Sequence, residues 1–170
     1  GHEECVGELI AASASIPQLG PHGFTAMHFA AEYGQVRVVH MLLHAKAAPA
    51  ELTAEQGWTP LQRAAIDGHD DVVKALLSAS KDKRTGNTNY PIMSRDKAGD
   101  TALHDASRNG HLGVVRELVL AKADLNSPNH AGQTALDVAK KAGRKDVAEF
   151  LTIKLRAANK GGGPIGSGIA

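Results

Sequence analysis

The sequence is poor in the residues that cross-link a chain or form an aromatic core. Its 170 residues include one cysteine, Cys5, so no disulfide can form within the chain. A single cysteine is typical of a reducing compartment, and we therefore expect the protein in the cytoplasm, with the nucleus as an alternative. No signal peptide is recognisable, and no apolar run is long enough to span a bilayer. Aromatic residues make up 4% of the chain and hydrophobic residues 42%, which favours a core of Ala, Val and Leu between closely packed helices.

Signatures of catalysis and of ligand binding are also missing. The sequence contains no HExxH, no CxxC and no P-loop motif. A GxGxxG pattern in the tail (Gly161, Gly163 and Gly166) lacks the preceding strand and the following helix that nucleotide binding requires. The net charge of +1 gives no indication of nucleic acid or of a membrane surface. We therefore expect no catalytic residue, no cofactor and no metal.

What the sequence does contain is one phrase in four copies. TAMHFAAEYG, TPLQRAAIDG, TALHDASRNG and TALDVAKKAG begin at Thr25, Thr59, Thr101 and Thr134. The spacing is 33 or 34 residues, except that nine extra residues separate the second copy from the third. A fixed period of this length is typical of a stacked array, in which each unit buries its apolar face against its neighbours.

Each phrase predicts a short helix followed by a second one. The threonine is a good N-cap, because its hydroxyl can accept a backbone N–H at the start of the helix. The glycine nine residues later, such as Gly68, suits the left-handed conformation that ends a helix. Apolar pairs at helical spacing then follow, such as Val114-Val115 and Leu118-Val119.

A unit that reads T-x-L-H-x-A, then G-H, V-V, L-L and A-D-L-N resembles the ankyrin repeat. The resemblance covers about residues 1–155 and implies an all-α solenoid of stacked helix-turn-helix units joined by β-hairpin-like loops. Residues 1–20 would be the second helix and turn of a partial repeat, with four repeats at 21–53, 54–95, 96–128 and 129–158. The last would end in a cap helix, followed by a glycine-rich tail at 159–170. Since the partial repeat would leave an apolar edge uncovered, we expect that the native protein continues upstream or that something else covers this edge.

Two units depart from the histidine of the motif. Gln62 and Asp137 stand where the other two units have His28 and His104. We expect the motif histidines to hydrogen-bond locally and to tie one turn to the next, rather than to bind a metal or act as catalytic bases.

The resemblance implies recognition of a protein or peptide by a surface. Family members usually bind partners on the first helices and the hairpin tips, at exposed positions that vary without harming the fold. The principal candidates here are His22, Phe24, Glu32, Tyr33, Trp58, Arg63, Ile66, Asp67, Asp100, Arg108 and Asn109. Further positions of the same kind are Phe29, Glu55, Gln56, Lys97, Asp105, His130, Gln133, Val138 and Lys141. Four of the six aromatic residues (Phe24, Phe29, Tyr33 and Trp58) fall on the first helices or hairpin tips of the first two full repeats, so we expect the contacts to centre there.

The sequence allows two interpretations for each of two local features. The inserted segment at about 83–95 is either a partner-specific finger presenting Tyr90, Ile92 and Met93, or a tolerated insertion whose apolar residues fold back on the stack. Asn126, in LVLAKADLN, resembles an asparagine that an asparaginyl hydroxylase modifies, and it could equally bond the backbone across the hairpin.

The leading function is thus a non-catalytic, monomeric module that binds a protein or peptide partner. The first alternative is a targeting or regulatory domain of a larger enzyme or receptor, whose activity lies outside this chain. The second is binding of nucleic acid or an acidic ligand by a basic patch, which near-neutral net charge disfavours. That patch comprises Lys81, Lys83, Arg84, Arg95, Lys97 and the basic C-terminal helix.

Overall fold

The structure, a computed structural model, describes residues 23–45, 56–79 and 92–160. These residues form eight α-helices in consecutive pairs, and no β-strand occurs among them. The all-α prediction is therefore confirmed for the described part of the chain. The helices are α1 (Ala26–Glu32), α2 (Val36–His44), α3 (Pro60–Asp67), α4 (Asp70–Ala79), α5 (Ala102–Asn109), α6 (Leu112–Leu120), α7 (Ala135–Lys141) and α8 (Lys145–Lys160).

The helices pack in two layers. The first helix of each pair contacts the first helix of the next, so that α1, α3, α5 and α7 form one layer, called here the first-helix layer. The second helices, α2, α4, α6 and α8, contact one another in the same order, and the two helices of each pair also touch. The main contacts thus join neighbouring helices, as a stacked array requires. None of the described helices is long and apolar enough to cross a membrane.

Small side chains fill the space between the layers. Ala31, Ala65 and Ala106 are fully buried in the first-helix layer, while Leu76 and Leu118 are fully buried in the second. Alanine lets neighbouring helices approach closely, and each buried leucine contributes roughly 1.5–3 kcal/mol to folding. The core therefore needs few aromatic side chains, in agreement with the composition.

The four threonines are N-caps, as their spacing predicts. In every copy the threonine backbone N–H donates to the side chain of the third residue of the helix, at 3.0–3.2 Å. Those side chains belong to His28, Gln62, His104 and Asp137. The departures from the motif histidine thus keep the capping box, because an amide or carboxylate oxygen accepts the same N–H.

The same side chains connect each pair to the next. His28 Nε2 donates to the Trp58 carbonyl, Gln62 Nε2 to the Asp100 carbonyl and His104 Nε2 to the Gln133 carbonyl, each at 3.0 Å. We call these contacts the forward bridges. Asp137 offers no N–H for such a bond, and it stands in the last helix pair that the structure describes.

A second set of bonds runs in the opposite direction. His69 Nε2 donates to the Glu32 carbonyl at 2.8 Å, and His111 Nε2 donates to the Ile66 carbonyl at 2.9 Å. In the last pair Arg144 takes this place, its Nε donating to the carbonyl of Arg108 at 3.0 Å. Each bond occupies a carbonyl at the end of the preceding first helix, where intrahelical donors run out.

The helix-ending glycines have the predicted left-handed backbone. At Gly68 the absence of a side chain also leaves space for a neighbouring residue. At Gly68, where φ is +81°, an added Cβ would lie 2.5 Å from His111 Nδ1. The imidazole that makes the backward bond therefore passes directly over the glycine. Gly143 has a similar φ of +70°, but an added Cβ there would meet no atom within 4 Å.

Three predictions require comment here. Ile92 packs against the core while Met93 is exposed, so the end of the 83–95 segment folds back at Ile92. Helix α8 extends to Lys160, two residues into the stretch assigned to the tail. The partial repeat (1–20), most of the insertion and the remaining tail lie outside the described residues.

Gly68→Ala should destabilise the fold more than Gly143→Ala. Both substitutions force a side chain into the left-handed region, which costs about 1–3 kcal/mol. Gly68→Ala additionally collides with His111, whereas Gly143→Ala has open space. Urea unfolding followed by circular dichroism measures the difference. Equal losses of unfolding free energy in the two variants would contradict this prediction, because the collision with His111 would then add no cost.

Candidate functional site

Two aromatic rings hold an arginine in a fixed position on the first-helix layer. The Arg63 guanidinium carbon lies 5.0 Å from the centre of the Trp58 ring and 5.9 Å from that of Phe24. Its Nη2 is also 2.9 Å from Glu32 Oε1 and 3.3 Å from Asp67 Oδ2. Such cation–π and ionic contacts restrict the arginine rotamers. We call these five residues the arginine cluster.

Exposed aromatic side chains flank the arginine cluster. Tyr33 is 67% exposed and Phe29 is 42% exposed, both on or directly after α1. Phe29 packs against Phe24, with ring centres 5.3 Å apart. Large exposed aromatic groups on a rigid base are typical of binding surfaces rather than of a folded core.

The other end of the first-helix layer carries a shallow cationic cavity. It has a volume of about 300 Å³ and is lined by Arg108, Gln133, Val138, Lys141 and Ala142. The Arg108 side chain is 42% exposed, and Lys141 is exposed at the end of α7. Arg108 is paired with Asp100 and Asp105, so Lys141 is the cation of this cavity that can accept an anionic group of a partner.

The predicted exposure of Asp100 is wrong. This side chain is 3% exposed, because Asn129 Nδ2 donates to its Oδ1 at 2.8 Å and Arg108 pairs with its Oδ2 at 2.5 Å. Asp105 and Val138 are likewise buried, at 3% and 4% exposure. Asp100 and Asp105 turn toward the neighbouring elements and have roles within the fold.

Asp105 has an unusual environment. Burial, together with the nearby carboxylates of Asp100 and Asp96, raises the pKa of Asp105 to about 7, and Arg108 and a side-chain hydrogen bond with Gln62 act in the opposite direction. Its Oδ1 accepts from Arg108 Nη1 at 3.1 Å, but its buried Oδ2 has no hydrogen-bond partner.

The remaining predicted contact residues are distributed as follows. Ile66 is half-buried on α3, and Asn109 ends α5 with its side chain bonded to the Asp105 carbonyl at 3.1 Å. Trp58 is half-buried, and its Nε1 donates to Asp96 Oδ2 at 3.3 Å. His22 and Tyr90 lie outside the described residues.

Sequence reasoning missed the residues that shape the hairpin turns. Asp96 Oδ1 accepts the N–H groups of Ala98 and Asp100, and Asn129 Oδ1 accepts those of Ala131 and Gln133. The signal was present, since an Asp or Asn three residues before a turn glycine commonly bonds backbone two residues on.

Two residues for which the sequence suggested surface roles, Arg95 and Asn126, lie in or beside the hairpins. Arg95, included in the basic patch, donates to the carbonyls of Gly99 and Pro128 and to Ser127 Oγ. Asn126 is exposed, and its backbone N–H donates to Asp124 Oδ1 at 2.9 Å. The side-chain bonds to the hairpin backbone come from Asn129, and hydroxylation of Asn126 stays a prediction.

The hydrogen bonds of His104 determine its protonation. Nδ1 accepts the Thr101 backbone N–H, and Nε2 faces the Gln133 carbonyl, so the ring is neutral with its proton on Nε2. Burial lowers the pKa of His104; the Gln133 carbonyl and Asp100 raise it, while Arg108 and Arg95 lower it. Protonation would place a second N–H against the Thr101 N–H.

His104→Gln should keep the fold and flatten its pH dependence. Unfolded histidine takes up a proton near pH 6.5, whereas folded His104 resists it, so its contribution to stability is present above pH 6.5 and falls at lower pH. Glutamine can make both bonds, as Gln62 does. When the pH is lowered from 7.5 to 5.5, the free energy of unfolding in urea should fall less for the variant than for the wild type.

Asp105 is common to both proteins in that comparison, so its opposite pH dependence cancels to first order. His104→Leu is the control that loses both bonds, and it should be destabilised at both pH values by about 1–3 kcal/mol. A glutamine variant that loses as much stability as the leucine variant would contradict the assignment of these two bonds.

Comparison with known proteins agrees with the repeat pattern. A model of ankyrin repeats matches the chain in three copies, at residues 1–87, 47–129 and 85–160. Together these matches include nearly all of the chain.

Several much longer proteins share this stretch. An ankyrin repeat and KH domain-containing protein of Caenorhabditis briggsae is 31% identical over 94% of this chain and 7% of its own length. The tyrosine-protein kinase Shark of Drosophila melanogaster is 33% identical over 81% of this chain and 14% of its own. A Caenorhabditis elegans homologue of transient receptor potential cation channel subfamily A member 1 is 29% identical over 87% of this chain and 14% of its own. The chain thus spans a small fraction of these relatives.

Proposed function

This chain belongs to the ankyrin repeat family, and from that premise we propose that it is a non-catalytic module that binds a protein or peptide on its first-helix layer. The observation that carries the proposal is the pair of exposed aromatic residues, Tyr33 and Phe29, beside the arginine cluster. Aromatic and arginine side chains supply a large share of the binding energy at protein interfaces.

The arginine cluster supports the proposal through its rigidity. Arg63 is fixed by two rings and two carboxylates before any partner arrives. Ordering a free interfacial side chain costs about 0.5–1.5 kcal/mol, and a preorganised one avoids much of that cost. Arg63 is largely covered, so its role is to hold Phe24 and Trp58 in place as the base of the surface.

The cationic cavity gives the partner a second feature. Arg108 and Lys141 face a space of about 300 Å³ at the other end of the same layer. We propose that the partner places aromatic or aliphatic side chains against Tyr33 and Phe29 and an acidic side chain against Lys141.

The first alternative is a targeting or regulatory role inside a larger protein. The relatives include a tyrosine kinase and a channel homologue, and this chain matches 14% of the length of each. Binding on the first-helix layer would serve either role. Within the described residues, no comparable observation favours nucleic-acid binding, since Arg95 is engaged by the hairpins. The cytoplasmic or nuclear location and the monomeric state stay predictions.

Phe29→Ala combined with Tyr33→Ala should abolish partner capture without unfolding the protein. Both side chains are exposed, so their loss removes contacts from the surface and little from the core. Each true hot spot contributes about 2 kcal/mol or more to binding. Capture from a native lysate, quantified by mass spectrometry, measures the effect, and titration with the captured protein then gives the affinity.

Leu120→Ala is the matched control, because Leu120 is 71% exposed on α6 in the second layer. It should leave the captured set unchanged. The proposal is wrong if the Phe29/Tyr33 variant captures the same proteins as the wild type, or if Leu120→Ala alone removes them.

A further inference from the structure

Three carboxylates converge beneath Arg108, away from the arginine cluster. One oxygen each from Asp96, Asp100 and Asp105 can be chosen so that all three lie within 4.8 Å of one another. Asp96 is half-buried, whereas Asp100 and Asp105 are buried. Like charges this close repel one another unless a positive charge lies between them.

Arg108 compensates for part of this charge. Its guanidinium pairs with Asp100 Oδ2 and with Asp105 Oδ1. The Asp100 and Asp96 oxygens have further donors: Asn129 for the first, and the Trp58 indole with two backbone N–H groups for the second. With one guanidinium against three carboxylates, the cluster retains an excess of negative charge when all three are ionised.

One oxygen of the cluster is left without a partner. Asp105 is 3% exposed, and its Oδ2 is buried without a hydrogen bond. An unpaired buried carboxylate oxygen is costly, so an oxygen in this position requires a proton, a water or a metal ion as partner.

We propose that Asp96, Asp100 and Asp105 form a binding site for a hard divalent cation, with Ca²⁺ the best fit. All the donors are carboxylate oxygens, which hard cations prefer, and Ca²⁺ accepts irregular arrangements that Mg²⁺ does not. Asp105 Oδ2 is the ligand that needs the ion, and Asp96 lies on the more open side of the cluster. Water would complete the coordination. The sequence alone predicted no metal site.

A proton competes with the cation for Asp105. The raised pKa of Asp105, about 7, means that the carboxyl is largely protonated below neutral pH. Cation binding should therefore be stronger at pH 8 than at pH 6, because the ligand must be deprotonated. Arg108 also competes, since it pairs with two of the three carboxylates.

Trp58 makes the site directly observable. It is the single tryptophan of the chain, and its indole Nε1 donates to Asp96 Oδ2 at 3.3 Å. Tb³⁺, used as a probe for Ca²⁺, should show saturable luminescence at pH 8 on excitation of Trp58. Added CaCl₂ should displace it.

Asp105→Asn and Arg108→Gln should act in opposite directions. Asp105→Asn keeps the shape but removes the charge, and it should weaken Tb³⁺ and Ca²⁺ binding more than about tenfold. Arg108→Gln removes the competing guanidinium and should strengthen binding several-fold. Asp146→Asn, an exposed carboxylate at the start of α8, is the control and should change neither.

Circular dichroism establishes that each variant is folded. If Asp105→Asn does not fold, the Arg108→Gln variant and the pH dependence of Ca²⁺ binding to the wild type decide. The proposal is overturned by the absence of saturable, tryptophan-sensitised luminescence at pH 8. It is also overturned if binding is indifferent to Asp105→Asn, or if it weakens in Arg108→Gln.

Discussion

The structure depends on a side chain at the third position of helices α1, α3 and α5 that bonds in two directions. His28, Gln62 and His104 each accept the backbone N–H of their own threonine and donate to the carbonyl just before the next threonine. One residue therefore closes a helix start and attaches it to the following hairpin. Because an array is stable through its neighbour contacts, this bond governs how firmly each pair holds the next.

The forward bridges also determine which positions are free for binding. The forward bridge holds the backbone of a residue such as Trp58 through its carbonyl. The side chain of that residue does not take part in the bond and can therefore contribute to the surface. The Trp58 ring packs on the Arg63 guanidinium, which also lies over Phe24, the ring that packs against the exposed Phe29. At the equivalent hairpin position, Asp100 turns inward to Arg108 and Asn129. The same backbone framework thus supports a partner surface in one unit and a charged cluster in the next.

The fold was predictable because its determinants are local and recur. A threonine and a glycine nine residues apart indicate a helix start and end regardless of the neighbours, and the period indicates stacking. The candidate surface was less predictable, because side-chain direction depends on contacts from other units. Asp100 occupies a surface position in the repeat, yet a later asparagine, Asn129, and Arg108 draw it inward. Gln62 looked like a departure from the motif, although its amide makes both bonds of the histidine.

The central claim is that the forward bridges hold the candidate surface rigid, and the indole of Trp58 reports on it directly. His28 Nε2 bonds the Trp58 carbonyl, whereas His104 bonds that of Gln133, in another hairpin. Time-resolved fluorescence anisotropy of Trp58 should reveal greater local motion in His28→Leu and unchanged motion in His104→Leu. Unchanged motion in folded His28→Leu, or equal loosening in both variants, would contradict the account.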